Sequence, residues 1–98
     1  MSIAMIIGSC TIHLHIATAQ SLKEKRQVLR SLIARIRNEF NVSVAEVDDQ
    51  DRWQSAILGV AVVATDQAHA QRQLESVVSF IERQRPDCPL LTYEIEML

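Results

Sequence analysis

The stretch Ala56-Ile57-Leu58-Gly59-Val60-Ala61-Val62-Val63-Ala64 is the longest apolar run of the chain. Its nine residues are too few for a membrane-spanning helix, which needs about 20. The run does not alternate between apolar and polar residues, and such runs are typical of strands covered on both faces. We therefore predict a strand over residues 54–65 that lies inside the protein.

The sequence on either side of this run predicts the neighbouring elements. Upstream, residues 42–48 are expected to form a strand and the polar residues 48–52 a turn, so that the two strands make a hairpin. Downstream, Asp66 is expected to cap a helix that ends near Arg85, because the residue before Pro86 disfavours helical geometry.

An earlier helix begins at a capping box, Ser21-Leu22-Lys23-Glu24, with Ser21 as the N-cap. We predict that this helix runs to Phe40 and that Asn41 closes it in a left-handed conformation. Apolar residues at helical spacing predict its buried stripe, which comprises Leu22, Leu29, Ile33, Ile36 and Phe40.

Strands are also predicted at both ends of the chain. Residues 3–16 alternate from Cys10 onward, and residues 91–97 place Leu91, Tyr93, Ile95 and Met97 on one dry face. The element order is then βαββαβ. It predicts an α+β protein of one domain, residues 1–98, with a ferredoxin-like sandwich, sheet order 4-1-3-2 and both helices on one face.

A two-layer sandwich covers only one face of its sheet, whereas the run 56–64 is apolar throughout. Contiguous exposed apolar patches are rarely tolerated on monomers, so we predict a homodimer through the open sheet face. The alternative is that small residues such as Ala56, Gly59 and Ala64 keep the patch small enough to tolerate.

Charge is distributed unevenly. The whole chain carries −2, which argues against a generally basic nucleic-acid binder. Residues 21–40 nevertheless contain six basic and two acidic residues, a net charge of +4, against −6 in the rest. Helical spacing places four of the basic residues within a stripe of roughly 60° beside the buried face. These are Lys23, Arg26, Arg30 and Arg37.

Two interpretations of this stripe remain open. Basic side chains in a row can follow a phosphate backbone, which predicts an anionic partner such as ribosomal RNA. Alternatively, they cover the flank of a core helix and keep it soluble. The chain lacks the paired strand aromatics of RNA-recognition-motif domains, so RNA contacts are expected through the helix and the backbone phosphates.

Three other residues are candidates for contacts. His13 and His15 share one strand face, where Glu94 or Glu96 could complete a metal site; we interpret the histidines instead as polar positions at the sheet face or dimer interface, and predict no metal. Trp53, the only tryptophan, either fills the base of the hairpin or anchors a partner.

Catalytic and cofactor motifs are not evident. Cys10 and Cys88 lack CxxC spacing, and no serine or cysteine stands beside a histidine in a recognisable motif. Two glycines cannot form a phosphate-binding loop. We predict no enzyme activity, no catalytic residue and no cofactor. The N-terminus lacks the features of a signal peptide, so a cytoplasmic location without membrane contact is expected.

Three blocks of the sequence resemble the YlxP-like family, a small bacterial family of unknown function: residues 19–26, residues 40–47, and residues 53–54 with 58–61. The resemblance covers essentially the whole chain and implies a ferredoxin-like fold, with no established activity, cofactor or substrate. Genes of the family often lie near translation and ribosome-maturation genes, which suggests an RNA-associated role. Family members often have Pro-Gly where this chain has Ala17-Thr18, at the entry to the first helix.

Together, these patterns predict a small cytoplasmic homodimer that binds an anionic partner through the helix 21–40. The alternative is a protein-interaction or small-molecule-sensing module that uses the open sheet face and the hairpin.

Overall fold

The computed structural model describes residues 3–98. Its elements are β1 (Ile6–His15), α1 (Leu22–Glu39), β2 (Ser43–Asp48), β3 (Ser55–Ala64), α2 (Gln67–Gln84) and β4 (Leu90–Met97). The strands form one antiparallel sheet in the order β2-β3-β1-β4, and the two helices pack against each other on one side of it. The predicted α+β ferredoxin-like layout is confirmed, since this order is 4-1-3-2 read from the other edge.

Both helices begin at the predicted caps. The Ser21 hydroxyl accepts a hydrogen bond from the Glu24 N–H at 3.1 Å, and the Asp66 carboxylate accepts one from the His69 N–H at 2.8 Å. The prediction of a left-handed Asn41 is wrong. Instead, Phe40 leaves the helix in an extended conformation, and its N–H still reaches the Ile36 carbonyl at 2.9 Å.

The strand β3 alternates in burial although its sequence does not alternate in polarity. Ala56, Leu58, Val60, Val62 and Ala64 face the helices and are buried. The residues between them lie on the opposite face, where Ala61 and Val63 are exposed. In the described chain, this central strand is therefore covered by protein on one face only.

The buried stripe of α1 is rotated from the predicted one. Its buried residues are Lys25, Leu29, Leu32 and Ile36. Leu22, Ile33 and Phe40 were predicted to be buried but are only half-buried. The stripe turns because α1 contacts both α2 and the edge strand β2, so that residues on two sides of the helix are covered.

Two residues of β4 that the alternation predicted to be buried are exposed. The register of β4 with β1 shifts between His13 and Leu14, so that Leu90 packs against the core and Leu91 is 65% exposed. Tyr93 is also exposed because β4 is an edge strand. The prediction that both residues lie on a dry face is therefore wrong. Neither helix of the described chain combines the length and the apolar character needed to cross a membrane.

Candidate functional site

The first turn of α1 is joined to the β2–β3 turn by Lys25. The ammonium donates hydrogen bonds to the carbonyl oxygens of Asp49 and Arg52, at 2.6 and 2.7 Å. It also lies 2.7 Å from Oε2 of Glu46 on β2, and this ion pair is the only polar contact of that oxygen among the described residues. The lysine side chain is 1% exposed. Lys25 is therefore held by two hydrogen bonds to backbone carbonyls and by one ion pair.

Sequence reasoning missed this role of Lys25, which was counted only as part of the basic segment. A signal was present: residues 25, 29, 32 and 36 follow helical spacing, and the stripe continues if a lysine is allowed in it. A lysine is rarely buried unless it is paired, so an apolar pattern leaves it out.

Arg37, at the other end of α1, is tied to the same edge strand. Its guanidinium donates a hydrogen bond of 2.9 Å to the carbonyl oxygen of Val44 on β2. Arg35, on the other side of the helix, instead reaches Gln84 of α2 at 3.0 Å. The side of α1 that carries Arg37 therefore faces the free edge of β2.

The remaining residues of the predicted stripe lie on this same side of α1. Lys23, Arg26 and Arg30 are exposed, and within residues 3–98 they form neither ion pairs nor hydrogen bonds from their side chains. We call these three residues the basic flank. It spans about 10 Å along the helix axis. Of the four basic residues predicted to bind a partner, three are thus unpaired, and Arg37 binds the edge of the sheet.

Trp53 follows the β2–β3 turn and is 53% exposed, so it does not fill the base of the hairpin. The residues on both sides of it are held in place. The Arg52 carbonyl accepts from Lys25, and the Gln54 amide donates to the carbonyls of Ala17 and Ala19, at 3.1 and 3.2 Å. The backbone at Trp53 is therefore anchored while its indole faces solvent.

The turn itself is built on Asp49, which has a φ of 61°. Its carboxylate accepts a hydrogen bond from the Ser55 hydroxyl at 2.7 Å and lies 3.7 Å from Arg52. Asp48 and Asp51 are exposed beside it. Turn geometry thus accounts for Asp49, while two carboxylates of the turn face solvent.

The open face of the sheet contains a shallow, mainly apolar concavity of about 410 Å³. Small residues of β2, β3 and β1 form its floor. Gly59 has no room for a larger side chain, because a Cβ there would lie only 2.8 Å from Val47. The exposed pair Ile7 and Val63 stands beside the concavity on neighbouring strands. The open face therefore offers both a hollow and a protrusion.

His13 and His15 lie on this open face, toward β4. The register pairs His13 with Thr92 and Thr11 with Glu94, so His13 and Glu94 line one small cleft of about 240 Å³. Throughout residues 3–98, no three His, Cys, Asp or Glu side chains come together as a metal site would require. Glu94 thus shares a cleft with His13, but among these residues no carboxylate forms a group with both histidines.

Cys10 and Cys88 are buried, free thiols. Burial raises the pKa of Cys10 from 9.0 to about 11, although a backbone hydrogen bond at Glu94 opposes the shift. Burial also raises the pKa of Cys88, against the opposing effect of its hydrogen bond from Arg85. Both thiols are protonated near neutral pH, which makes them poor nucleophiles.

Comparisons with known proteins show which family the chain belongs to. Residues 7–95 match the family model "Protein of unknown function (DUF503)". The chain is 39% identical over 77 residues to the "Uncharacterized protein YlxP" of Bacillus subtilis (strain 168), covering 79% of this chain and 84% of that protein. Among solved structures, the "De novo designed protein Foldit4" has a TM-score of 0.52 at 15% identity over 96% of both chains, a likeness of fold alone. The family match and the bacterial relative both cover most of the chain, which therefore belongs to the DUF503 family of YlxP-like proteins.

Proposed function

We propose that the protein is a binding module, not an enzyme, and that it holds RNA through the basic flank of α1. The observation that supports this is the unpaired state of Lys23, Arg26 and Arg30 on a helix whose other three basic side chains have partners within the fold. Lys25, Arg35 and Arg37 each have a partner within the fold. Exposed cations in a row without internal partners match the chemistry of a phosphate backbone.

The anchoring of α1 supports the same proposal. Lys25 and Arg37 attach both ends of the helix to the β2 side, so the basic flank is presented on a fixed surface. A fixed row of cations loses less conformational entropy on binding than the same cations on a mobile segment. We infer that the partner is a single strand or a loop of ribosomal RNA, bound in the cytoplasm.

Removing the three charges of the basic flank is expected to weaken binding and reduce its salt dependence. Each phosphate contact on a single strand contributes about 0.7 to the slope of log affinity against log salt. The variant Lys23→Gln/Arg26→Gln/Arg30→Gln should therefore lower that slope by about 2 in filter-binding titrations with ribosomal RNA fragments. Glutamine preserves helix propensity, and circular dichroism verifies that α1 is intact.

The matched control is Arg72→Gln/Arg83→Gln on α2, which removes exposed charges from another surface. It should leave the slope close to that of the wild type. The proposal is wrong if the triple variant keeps both the affinity and the salt slope of the wild type, or if both variants lose affinity equally.

The open sheet face favours a second function, self-association as a homodimer. This face leaves apolar side chains in water, since Val63 is 65% and Ile7 36% exposed. Ala61, beside them, is also exposed. Self-association through this face would remove this apolar surface from water.

A second copy of the chain is the occupant that we propose for this face. The concavity lined by Ala45, Gly59 and Ala61 lies beside the protruding Ile7 and Val63. A two-fold axis brings the protrusion of one copy to the hollow of the other, since each contact in such an interface occurs twice. One surface then supplies both halves of the interface.

The substitution Ala61→Glu is expected to convert the dimer to a monomer, because it places a charge in the apolar concavity. Light scattering after size-exclusion chromatography measures this directly. Ala34→Glu, the same change at an exposed position of α1, is the control and should remain dimeric. A wild-type chain that is monomeric at micromolar concentration contradicts the second function and leaves RNA binding untouched.

A further inference from the structure

Trp53 is an exposed aromatic residue whose two chain neighbours are anchored by hydrogen bonds. Half of its surface faces solvent although an indole is among the largest apolar groups to leave in water. Its neighbours are fixed by three hydrogen bonds, one from Lys25 to the Arg52 carbonyl and two from the Gln54 amide to the β1–α1 loop. The indole is not part of the hydrophobic core, so these hydrogen bonds fix the backbone on either side of an exposed side chain.

Trp53 is connected to the start of α1, where the basic flank begins. Lys25 joins the first turn of α1 to the residue immediately before Trp53, and Lys23 and Arg26 belong to that same helical turn. The backbone beside Trp53 is thus attached, through the Lys25 side chain, to the helical turn in which the basic flank begins. The other exposed aromatic of the described chain, Tyr93, lies on β4 at the opposite edge of the sheet.

The charges around Trp53 indicate which part of a nucleotide it meets. Asp48 and Asp51 are exposed in the turn and repel phosphate, and the exposed guanidinium of Arg52 offsets only part of their charge. The basic flank on α1 attracts it. A strand lying along the flank therefore places its phosphates on the helix and turns an uncharged group toward the turn. The uncharged, flat group of a nucleotide is its base.

We propose that Trp53 is a stacking platform for an unpaired base of the RNA strand that the basic flank holds by its phosphates. This inference rests on the proposed RNA-binding function and specifies its substrate as a strand with an accessible base. Stacking on an aromatic side chain suits any base, because every base has a π-face. The site is therefore expected to prefer single-stranded over duplex RNA and to show little sequence preference.

The single tryptophan makes the site directly observable. Titration with a short unstructured RNA oligonucleotide should quench the fluorescence of Trp53. Inorganic polyphosphate is expected to compete for the basic flank without quenching, because it carries phosphates and no base. A blunt RNA duplex of the same sequence should bind more weakly, because its bases are already stacked on one another.

Substitution separates stacking from phosphate binding. Trp53→Ala should weaken binding of the single strand by about 5- to 160-fold, the range for one stacked base, with the salt slope unchanged. Trp53→Phe keeps an aromatic platform and should retain most of the affinity. Tyr93→Ala, which removes the other exposed aromatic, is the control and should bind like the wild type. Circular dichroism of each variant verifies that the fold is kept.

The outcomes distinguish the two proposals. If the wild type binds RNA and the basic-flank variant loses binding, while Trp53→Ala binds normally and no quenching occurs, the stacking platform is wrong and the RNA-binding function stands. If the wild type binds no RNA at low salt, both proposals are wrong. If quenching is produced by a protein partner and by no oligonucleotide, Trp53 is a protein-binding anchor and the inference is overturned.

Discussion

The substitution Lys25→Met is expected to lower the free energy of unfolding by about 3–5 kcal/mol, the cost of removing one partner from a buried ion pair. The change leaves Glu46 without its cation and the carbonyls of Asp49 and Arg52 without their donor. Unsatisfied buried polar groups account for most of such losses. Urea unfolding followed by circular dichroism measures the effect.

The control for this prediction is Lys23→Met, the same substitution two residues away at an exposed position. It should change the stability by no more than about 0.5 kcal/mol. Glu46→Gln should cost less than Lys25→Met, because the ammonium then keeps both carbonyl partners. If Lys25→Met and Lys23→Met have equal effects on stability, the buried contacts of Lys25 do not stabilise the fold.

The second large effect is expected in β3. Leu58→Ala should cost about 2–5 kcal/mol, since it deletes a side chain that is completely buried beneath the helices. Ile57→Ala, at the adjacent residue, should cost only about 1 kcal/mol in dilute solution, because Ile57 lies on the open face and is half-buried. Urea unfolding at several protein concentrations measures both values.

Concentration is informative here because dimerisation stabilises only the folded state. If the open face self-associates, the cost of Ile57→Ala should increase with protein concentration, whereas the cost of Leu58→Ala in dilute solution is already large. Equal costs for the two variants at low concentration would contradict the placement of the helices on one face of the sheet.

Much of the fold was predictable from the sequence because its signals are local. The capping residues Ser21 and Asp66 marked the starts of both helices, since an N-cap depends only on neighbouring residues. The element order βαββαβ then left few topologies, because connections are short and crossovers are right-handed. The basic flank was also visible, since charge and helical spacing are properties of the sequence.

The failures concern residues whose environment is set by distant parts of the chain. Leu91 was predicted to be buried from its alternation, but a register shift against β1 exposes it. Asn41 was predicted to be left-handed, but the chain enters β2 directly through an extended Phe40. Leu32 and Lys25 were left out of the buried stripe of α1 because the contact with α2 and β2 was unknown.

The candidate site shows the same division between local and long-range information. That Lys23, Arg26 and Arg30 lie on one side of a helix followed from their spacing. They are unpaired whereas Arg37 binds Val44, and this difference depends on where β2 lies. Val44 is only seven residues after Arg37, but its position is fixed by the pairing of β2 with β3. The anchored position of Trp53 depends on Lys25, Ala17 and Ala19, which are remote in sequence.

The apolar run 56–64 illustrates the difference between local signals and tertiary packing. Its composition and the turn signals beside it are local properties, and they sufficed to predict that this segment is a strand. Which face of the strand is covered depends on the packing of the helices, because side chains of β3 point alternately to both faces and the helices pack on one. Because the run does not alternate in polarity, its sequence does not indicate which face is buried. The position of the helices alone makes Leu58 buried and leaves Ile57 more accessible.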